Sequence, residues 1–210
     1  EKFNENVLSR LPRLKVIAFF GVGYETYIDI QAASKYGIAV TNAPGANSQS
    51  VAELSAALML DAVKKIPSLI ESTKNGLWKK KLSWDLEWRT LGIVGMGEIG
   101  RRFAAIAHHG FGMNILYVSR TSKEEVEQSC HAKQVSLEDL LRDSDVVSLH
   151  AIESEETKGM IGKNEISLMQ PHAVLINTAR AALVDLEALH DALVNERIAC
   201  AAFDCFYEEP

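Results

Sequence analysis

Short, continuously apolar runs rich in β-branched residues alternate along this chain with stretches whose apolar positions recur at helical spacing. Residues 14–20 and 38–41 read as the first two strands, the former as a buried one. Each is closed by turn residues, Gly21-Val22-Gly23 and Asn42-Ala43-Pro44-Gly45. Residues 50–66 predict a helix with Val51, Leu54, Leu58 and Ala62 on one stripe. Ser50 reads as its cap, Glu53 takes the capping-box position, and Pro67 follows its end. A polar connection comes next, holding Trp78, Lys79, Lys80, Lys81, Trp84 and Trp88. After it the alternation is regular. Strands are expected over 91–94, 115–118, 146–149, 174–177 and 201–203, and helices over 98–108, 136–142, 163–169 and 186–194. Apolar strands that alternate with helices predict an α/β fold, a doubly wound parallel sheet covered on both faces.

Composition narrows the function without naming it. The 210 residues carry 22 Lys plus Arg against 28 Asp plus Glu, a net charge of -6, so a general phosphate-backbone binder is not expected. The three adjacent lysines among tryptophans read as a solvated loop whose aromatics pack on a neighbouring domain or subunit, not as a nucleic-acid track. No apolar run nears the roughly 20 residues that a membrane helix needs. The polar, acidic start has no secretory pattern, so a cytoplasmic protein is expected. Cys130, Cys200 and Cys205 form neither an even set nor a C-x-x-C pair, which argues against a disulfide framework or zinc site.

The chemistry starts at Gly95-Met96-Gly97-Glu98-Ile99-Gly100, a G-x-G-x-x-G between a predicted strand and a predicted helix. In that context Gly95 makes the tight turn and Gly97 lets the backbone approach a pyrophosphate. Gly100 lets helix and strand pack closely, and the amides of Glu98 and Ile99 face the phosphates at the helix start. After the next strand, where an acidic residue would bind the ribose 2′-hydroxyl of NAD, stand Ser119-Arg120-Thr121-Ser122. A guanidinium flanked by hydroxyls suits a 2′-phosphate, so NADP is predicted, with NAD as the alternative. Three further segments reach the same carboxyl edge: Gly21-Val22-Gly23, Asn177-Thr178-Ala179-Arg180 and Asp204. An arginine there is a natural clamp for a carboxylate or a polarised carbonyl.

These motifs, in this order, resemble the D-2-hydroxyacid dehydrogenase family. The likeness is carried by Gly21-Val22-Gly23-Tyr24, Thr41-Asn42-Ala43-Pro44-Gly45 and Ser50-Val51-Ala52-Glu53-Leu54. It continues through the glycine-rich turn, Ser144-Asp145-Val146-Val147-Ser148-Leu149-His150, Ile176-Asn177-Thr178-Ala179-Arg180 and Phe203-Asp204-Cys205-Phe206-Tyr207-Glu208-Glu209-Pro210. The resemblance implies a Rossmann coenzyme domain over 46–210 and part of a second Rossmann-like substrate domain over 1–45. It also implies a homodimer contact through the helix from Ser50 and the tryptophan segment. Arg180 stands where the family's catalytic arginine holds the substrate carboxylate. Glu209 stands where a glutamate pairs with the catalytic histidine, and Asp204 where an aspartate positions the nicotinamide. Thr178 and Ala179 belong to the coenzyme edge, and the amides of Val22 and Gly23 bind the substrate carboxylate. The implied reaction passes a hydride between NAD(P)H and a small 2-oxoacid, in a pattern like the NADPH-preferring glyoxylate/hydroxypyruvate reductases. A corepressor-like, dinucleotide-sensing interaction protein is the alternative on the same fold; Arg180 and Glu209 favour the enzyme.

There are departures. The family's histidine lies beyond the Glu-Pro at which this chain ends, so a fragment lacking that acid is expected. His150 reads as structural. Ala181 replaces a usual glycine, Ile152 replaces a usual proline, and the segment from Tyr24 to Asp29 looks one residue longer than the common pattern.

Overall fold

The computed structural model describes residues 2–24 and 27–208, which form two compact units, Glu1–Ser48 and Gln49–Pro210. The first unit holds α1 (Glu5–Leu8), β1 (Val16–Ala18), α2 (Ile30–Lys35) and β2 (Ala39–Thr41). Its two strands pair in parallel, Val16 opposite Ala39 and Ala18 opposite Thr41. Leu8, Ala32, Ala33 and Ile38 make its small core. The buried strand expected over 14–20 is shorter and more open than its apolar run suggests: Val16 is 53% exposed and Phe20 97% exposed. A two-stranded sheet covers little of its own surface.

The second unit opens on α3 (Ser48–Lys64), followed by α4 (Ile66–Lys74). Ser50 therefore lies inside a helix rather than at its cap, which corrects the expected start. Pro67 begins α4 instead of merely ending α3, because proline fits the first helical turn, where an amide has no partner to lose. Lys65, in the left-handed region at φ 58°, makes the break between the two helices.

The rest alternates between strand and helix: β3 (Thr90–Val94), α5 (Glu98–Ala105), β4 (Asn114–Val118), α6 (Glu124–Cys130), β5 (Lys133–Gln134), α7 (Leu137–Asp143), β6 (Val146–Leu149), α8 (Lys163–Leu168), β7 (Val174–Asn177), α9 (Leu186–Val194) and β8 (Cys200–Phe203); α6 and β5 fall outside the elements expected from the sequence. The helix expected over 98–108 changes character after Ala105, where Ile106–Gly110 forms a π turn. Ser136 caps α7 as expected, accepting the Asp139 amide at 3.1 Å.

All strands of this unit pair in parallel, in the order β5-β4-β3-β6-β7-β8. The chain winds outward from β3 in one direction, then returns to β6 and winds in the other. Every carboxyl end thus lies on one edge, and the order reverses between β3 and β6, where a crevice opens in such sheets. The strands β6 and β7 are fully buried, as is β3 beyond its first residue. One face packs Met59, Ile93, Phe103 and Tyr117 beneath α3 and α5. The other packs Leu140, Leu149, Leu175 and Leu189 beneath α7, α8 and α9. Among the described residues Cys130 and Cys200 are free thiols, and no helix is long and apolar enough to cross a membrane.

Candidate coenzyme site at the sheet's carboxyl edge

The glycine-rich turn joins β3 to α5, and each glycine answers to a different constraint. Gly95 has φ 102°, and a Cβ there would lie 2.6 Å from the carbonyl carbon of His150 and 2.7 Å from the Ala151 amide nitrogen. A Cβ on Gly100 would lie 2.5 Å from the Gly95 carbonyl oxygen and 3.2 Å from the Ile93 side chain. These two glycines let α5 press onto the strand ends. Gly97 differs: its backbone is extended at φ -84°, ψ -161°, and nothing lies within 4 Å of where a Cβ would stand. The fold does not require glycine there; a group approaching the backbone from outside would.

No side chain caps α5. Among the described residues the amides of Gly97, Glu98 and Ile99 have no acceptor, so three donors point out of a helix N-terminus with its positive dipole end. Glu98 would oppose an anion there, but its carboxylate pairs with Arg101, which also meets Glu125 at 2.9 Å. The residues present fit a dinucleotide pyrophosphate.

Hydrogen bonds between strand ends hold the edge together. The Gly95 amide donates to Val118 O at 2.9 Å, His150 N to Val94 O at 2.8 Å, and Asp204 N to Asn177 O at 3.0 Å. After β4, the Ser119 carbonyl accepts from the Gln134 side chain at 2.7 Å. Arg120 and Thr121 are exposed. Thr121 accepts from Lys123 Nζ at 2.9 Å, and among the described residues the Arg120 guanidinium has no ion pair.

After β7, the buried Asn177 wraps the following loop around its own carboxamide. It accepts the Ala179 amide at 3.0 Å and donates to the Arg180 carbonyl at 2.9 Å. The Ser55 hydroxyl donates to Val51 O at 2.8 Å, so the Thr178 hydroxyl, 3.0 Å away, is left to donate to Ser55. Arg180 is exposed, with Nη1 on the Ala179 carbonyl at 2.7 Å and no carboxylate partner among the described residues. Asp204 is exposed at the end of β8. The chain thus brings Gly95, Gly97, Glu98, Ile99, Gly100, Ser119, Arg120, Thr121, Thr178, Ala179, Arg180 and Asp204 to one edge of one sheet. Val22 and Gly23 lie in the other unit. Asn42 Nδ2 donates to Val22 O at 3.3 Å, and the amides of Val22 and Gly23 have no acceptor among the described residues. Glu209 lies outside the described residues.

Pattern reading gave Asn177 no role and took His150 only as structural. His150 sits at the end of β6 against Gly95, with its ring edge-on to Phe103 at 5.8 Å and Nε2 2.9 Å from Ser148 Oγ. Its Nδ1 is buried with no partner among the described residues. Burial, which disfavours the charged ring, lowers its pKa to about 4. A cavity of about 510 Å³, lined by Leu58, Trp84, His172 and Cys200 among others, lies along α3, α4 and β8 and touches none of the candidate site residues.

A doubly wound sheet with uncommitted amides at its first strand–turn–helix defines a dinucleotide-binding unit. Comparison with known proteins agrees. Residues 56–210 match the family model described as D-isomer specific 2-hydroxyacid dehydrogenase, NAD binding domain. The chain belongs to the D-isomer specific 2-hydroxyacid dehydrogenase family. It is 44% identical to a glyoxylate reductase of Thermococcus litoralis and 41% identical to one of Aeropyrum pernix; each match covers all of this chain. The chain spans 66% and 65% of the length of those curated relatives. Among solved structures, the TT0316 protein of Thermus thermophilus matches with a TM-score of 0.91 and 37% identity, over 100% of this chain and 67% of that one. D-lactate dehydrogenase of Aquifex aeolicus, complexed with NAD and lactic acid, matches with a TM-score of 0.88 and 36% identity, over 99% of this chain and 62% of that one.

Two predictions follow from this geometry. Gly97→Ala should leave urea-unfolding stability within about 0.5 kcal/mol, because space and φ both admit a methyl, yet weaken coenzyme binding at least roughly tenfold by holding the pyrophosphate off the backbone. Equal affinity in calorimetric titration contradicts the cradle. For His150, the folded pKa lies below the unfolded value of 6.5, so the unfolded chain binds the extra proton. Stability is complete above the unfolded value, falls as pH drops toward about 4, and is level below that. Between about pH 7 and about pH 5 this group should remove about 2 kcal/mol, a loss absent from His150→Gln in urea unfolding. An equal loss in the variant contradicts the buried neutral ring.

Proposed function

We propose that this chain supplies the coenzyme-binding unit (46–210) and part of the substrate-binding unit (1–45) of a reductase. The enzyme moves a hydride from NADPH to a small 2-oxoacid of the glyoxylate or hydroxypyruvate type. The observation that carries the reading is the exposed Arg180 guanidinium, free of any described carboxylate, on the same edge as the uncommitted Gly97, Glu98 and Ile99 amides. The names of the two relatives at 44% and 41% identity, both glyoxylate reductases, support the substrate class.

The coenzyme, when bound, supplies the hydride. Gly97, Glu98 and Ile99 would hold its pyrophosphate by amide hydrogen bonds. Arg120, with Ser119 and Thr121, would pair with the adenosine 2′-phosphate, and Asp204 with Thr178 and Ala179 would orient the nicotinamide end. Arg180 would take the substrate carboxylate and draw negative charge toward the carbonyl oxygen as it develops, an effect strongest in the transition state. The Val22 and Gly23 amides would take part in carboxylate binding. Glu209 is assigned to pairing with a histidine that protonates the new alkoxide. A cytoplasmic homodimer accompanies this reading. Its contact would run through α3 and the segment holding Trp78 and Leu82, which are 89% and 91% exposed.

The test is oxidation of NADPH by the purified full-length protein on addition of glyoxylate or hydroxypyruvate, followed by absorbance. Arg180→Ala should lower kcat/KM by about two powers of ten while the coenzyme Kd holds, since the clamp acts on substrate and transition state. Unchanged turnover contradicts the assignment. Tight coenzyme binding without oxidation by any 2-oxoacid would instead indicate a dinucleotide sensor.

A further inference from the structure

The loop 119–123, between β4 and α6, carries Arg120 and Thr121 and is fastened at both ends. At its start the Ser119 carbonyl is held by Gln134. At its end a side chain from the sheet does the fastening. Tyr117 on β4 is fully buried, and its hydroxyl accepts the Lys123 amide at 2.9 Å while donating to the Glu127 carboxylate. The Ser122 hydroxyl donates to the same Glu127 Oε1 at 3.0 Å. Lys123 is the cap residue of α6, yet no side chain of the helix's own start satisfies that end; the phenol from the strand below does so instead.

Charge gives this arrangement a consequence. The first turn of α6 carries Glu124, Glu125 and Glu127, an acidic cluster beside the place assigned to a phosphate. Glu125 is paired with Arg101 at 2.9 Å. Glu127 is tied by Tyr117 and Ser122. Arg120 keeps no partner among the described residues. Glu125 and Glu127 are thus engaged elsewhere, Glu124 has no partner among the described residues, and the loop is fastened by the protein's own contacts before a ligand arrives. Pre-organisation lowers the entropy lost on binding and sharpens discrimination between ligands that do and do not reach the ordered group. The same contacts act on both groups: burial and then the bond to Glu127 push the Tyr117 phenol up, and that bond, followed by the one from Ser122, pulls Glu127 down.

We propose that Tyr117 and Glu127 are positioning residues for coenzyme choice, holding the loop 119–123 so that Arg120 is presented to the 2′-phosphate of NADPH. The proposal rests on the reading of Arg120 as the 2′-phosphate contact. It adds that discrimination is set from inside the sheet, by a pair of residues that touch neither coenzyme.

The test measures Kd for NADPH and NADH separately by calorimetry in the purified protein and its variants. Tyr117→Phe keeps the buried ring and removes only the hydroxyl. It should weaken NADPH roughly five- to tenfold and leave NADH within about twofold, the scale of one lost ordinary hydrogen bond. Glu127→Ala should do the same. Glu127→Gln, which still offers an acceptor oxygen to both hydroxyls, should restore most of the preference. An unchanged NADPH-to-NADH ratio in Tyr117→Phe, or equal weakening of both coenzymes, overturns the proposal, because a purely structural role moves both together. A wild-type protein without preference for NADPH, or an Arg120→Ala variant with unaltered preference, overturns the 2′-phosphate reading itself and is told apart by those two measurements.

Discussion

The site depends on one close approach. Helix α5 can start where it does only because Gly95 and Gly100 carry no side chain. A single methyl on Gly95 would meet the backbone of the β6 end, and one on Gly100 would meet the Gly95 carbonyl. That contact seats the helix start against the reversal point of the sheet. Its unpaired amides then open onto the crevice that the strand order creates. Packing and ligand binding are separable within the same short turn: two of its glycines serve the fold, and Gly97 serves what lies outside it.

Parallel pairing does the rest. Because all six strands of the second unit run one way, the loops after β3, β4, β7 and β8 end on the same edge without any one of them being long. Two of these loops are held from below by a buried polar group: Asn177 for the segment bearing Arg180, and Tyr117 for the segment bearing Arg120. Exposed cations on loops ordered from within can meet anionic ligands with little rearrangement.

Much of this was legible in the sequence. The strands 91–94, 146–149 and 174–177 match their observed spans closely, since central parallel strands are continuously apolar and bounded by turn residues. The helix 186–194 matches residue for residue, with Asp185 as its cap. What escaped has physical reasons. The strand β5 is too short to carry a period. The start of α3 lies ahead of Ser50 because a capping pattern inside a helix looks like one at its end, and α4 was hidden by a proline that can open a helix as well as stop one. The holding roles of Asn177 and Tyr117 depend on what packs against a strand end, and spacing along the chain does not encode that. The glycine-rich turn was readable because its spacing between a strand and a helix is local: close packing requires Gly95 and Gly100, and Gly97 leaves the backbone open from outside.

The account stands most directly on where the dinucleotide touches the backbone. Amide NMR shifts during titration of the isotope-labelled protein with NADPH measure this. The account predicts that the Gly97, Glu98 and Ile99 amides move most, with Arg120 responding beside them. If those amides stay still while the shifts gather along the cavity between α3 and β8, the account is wrong.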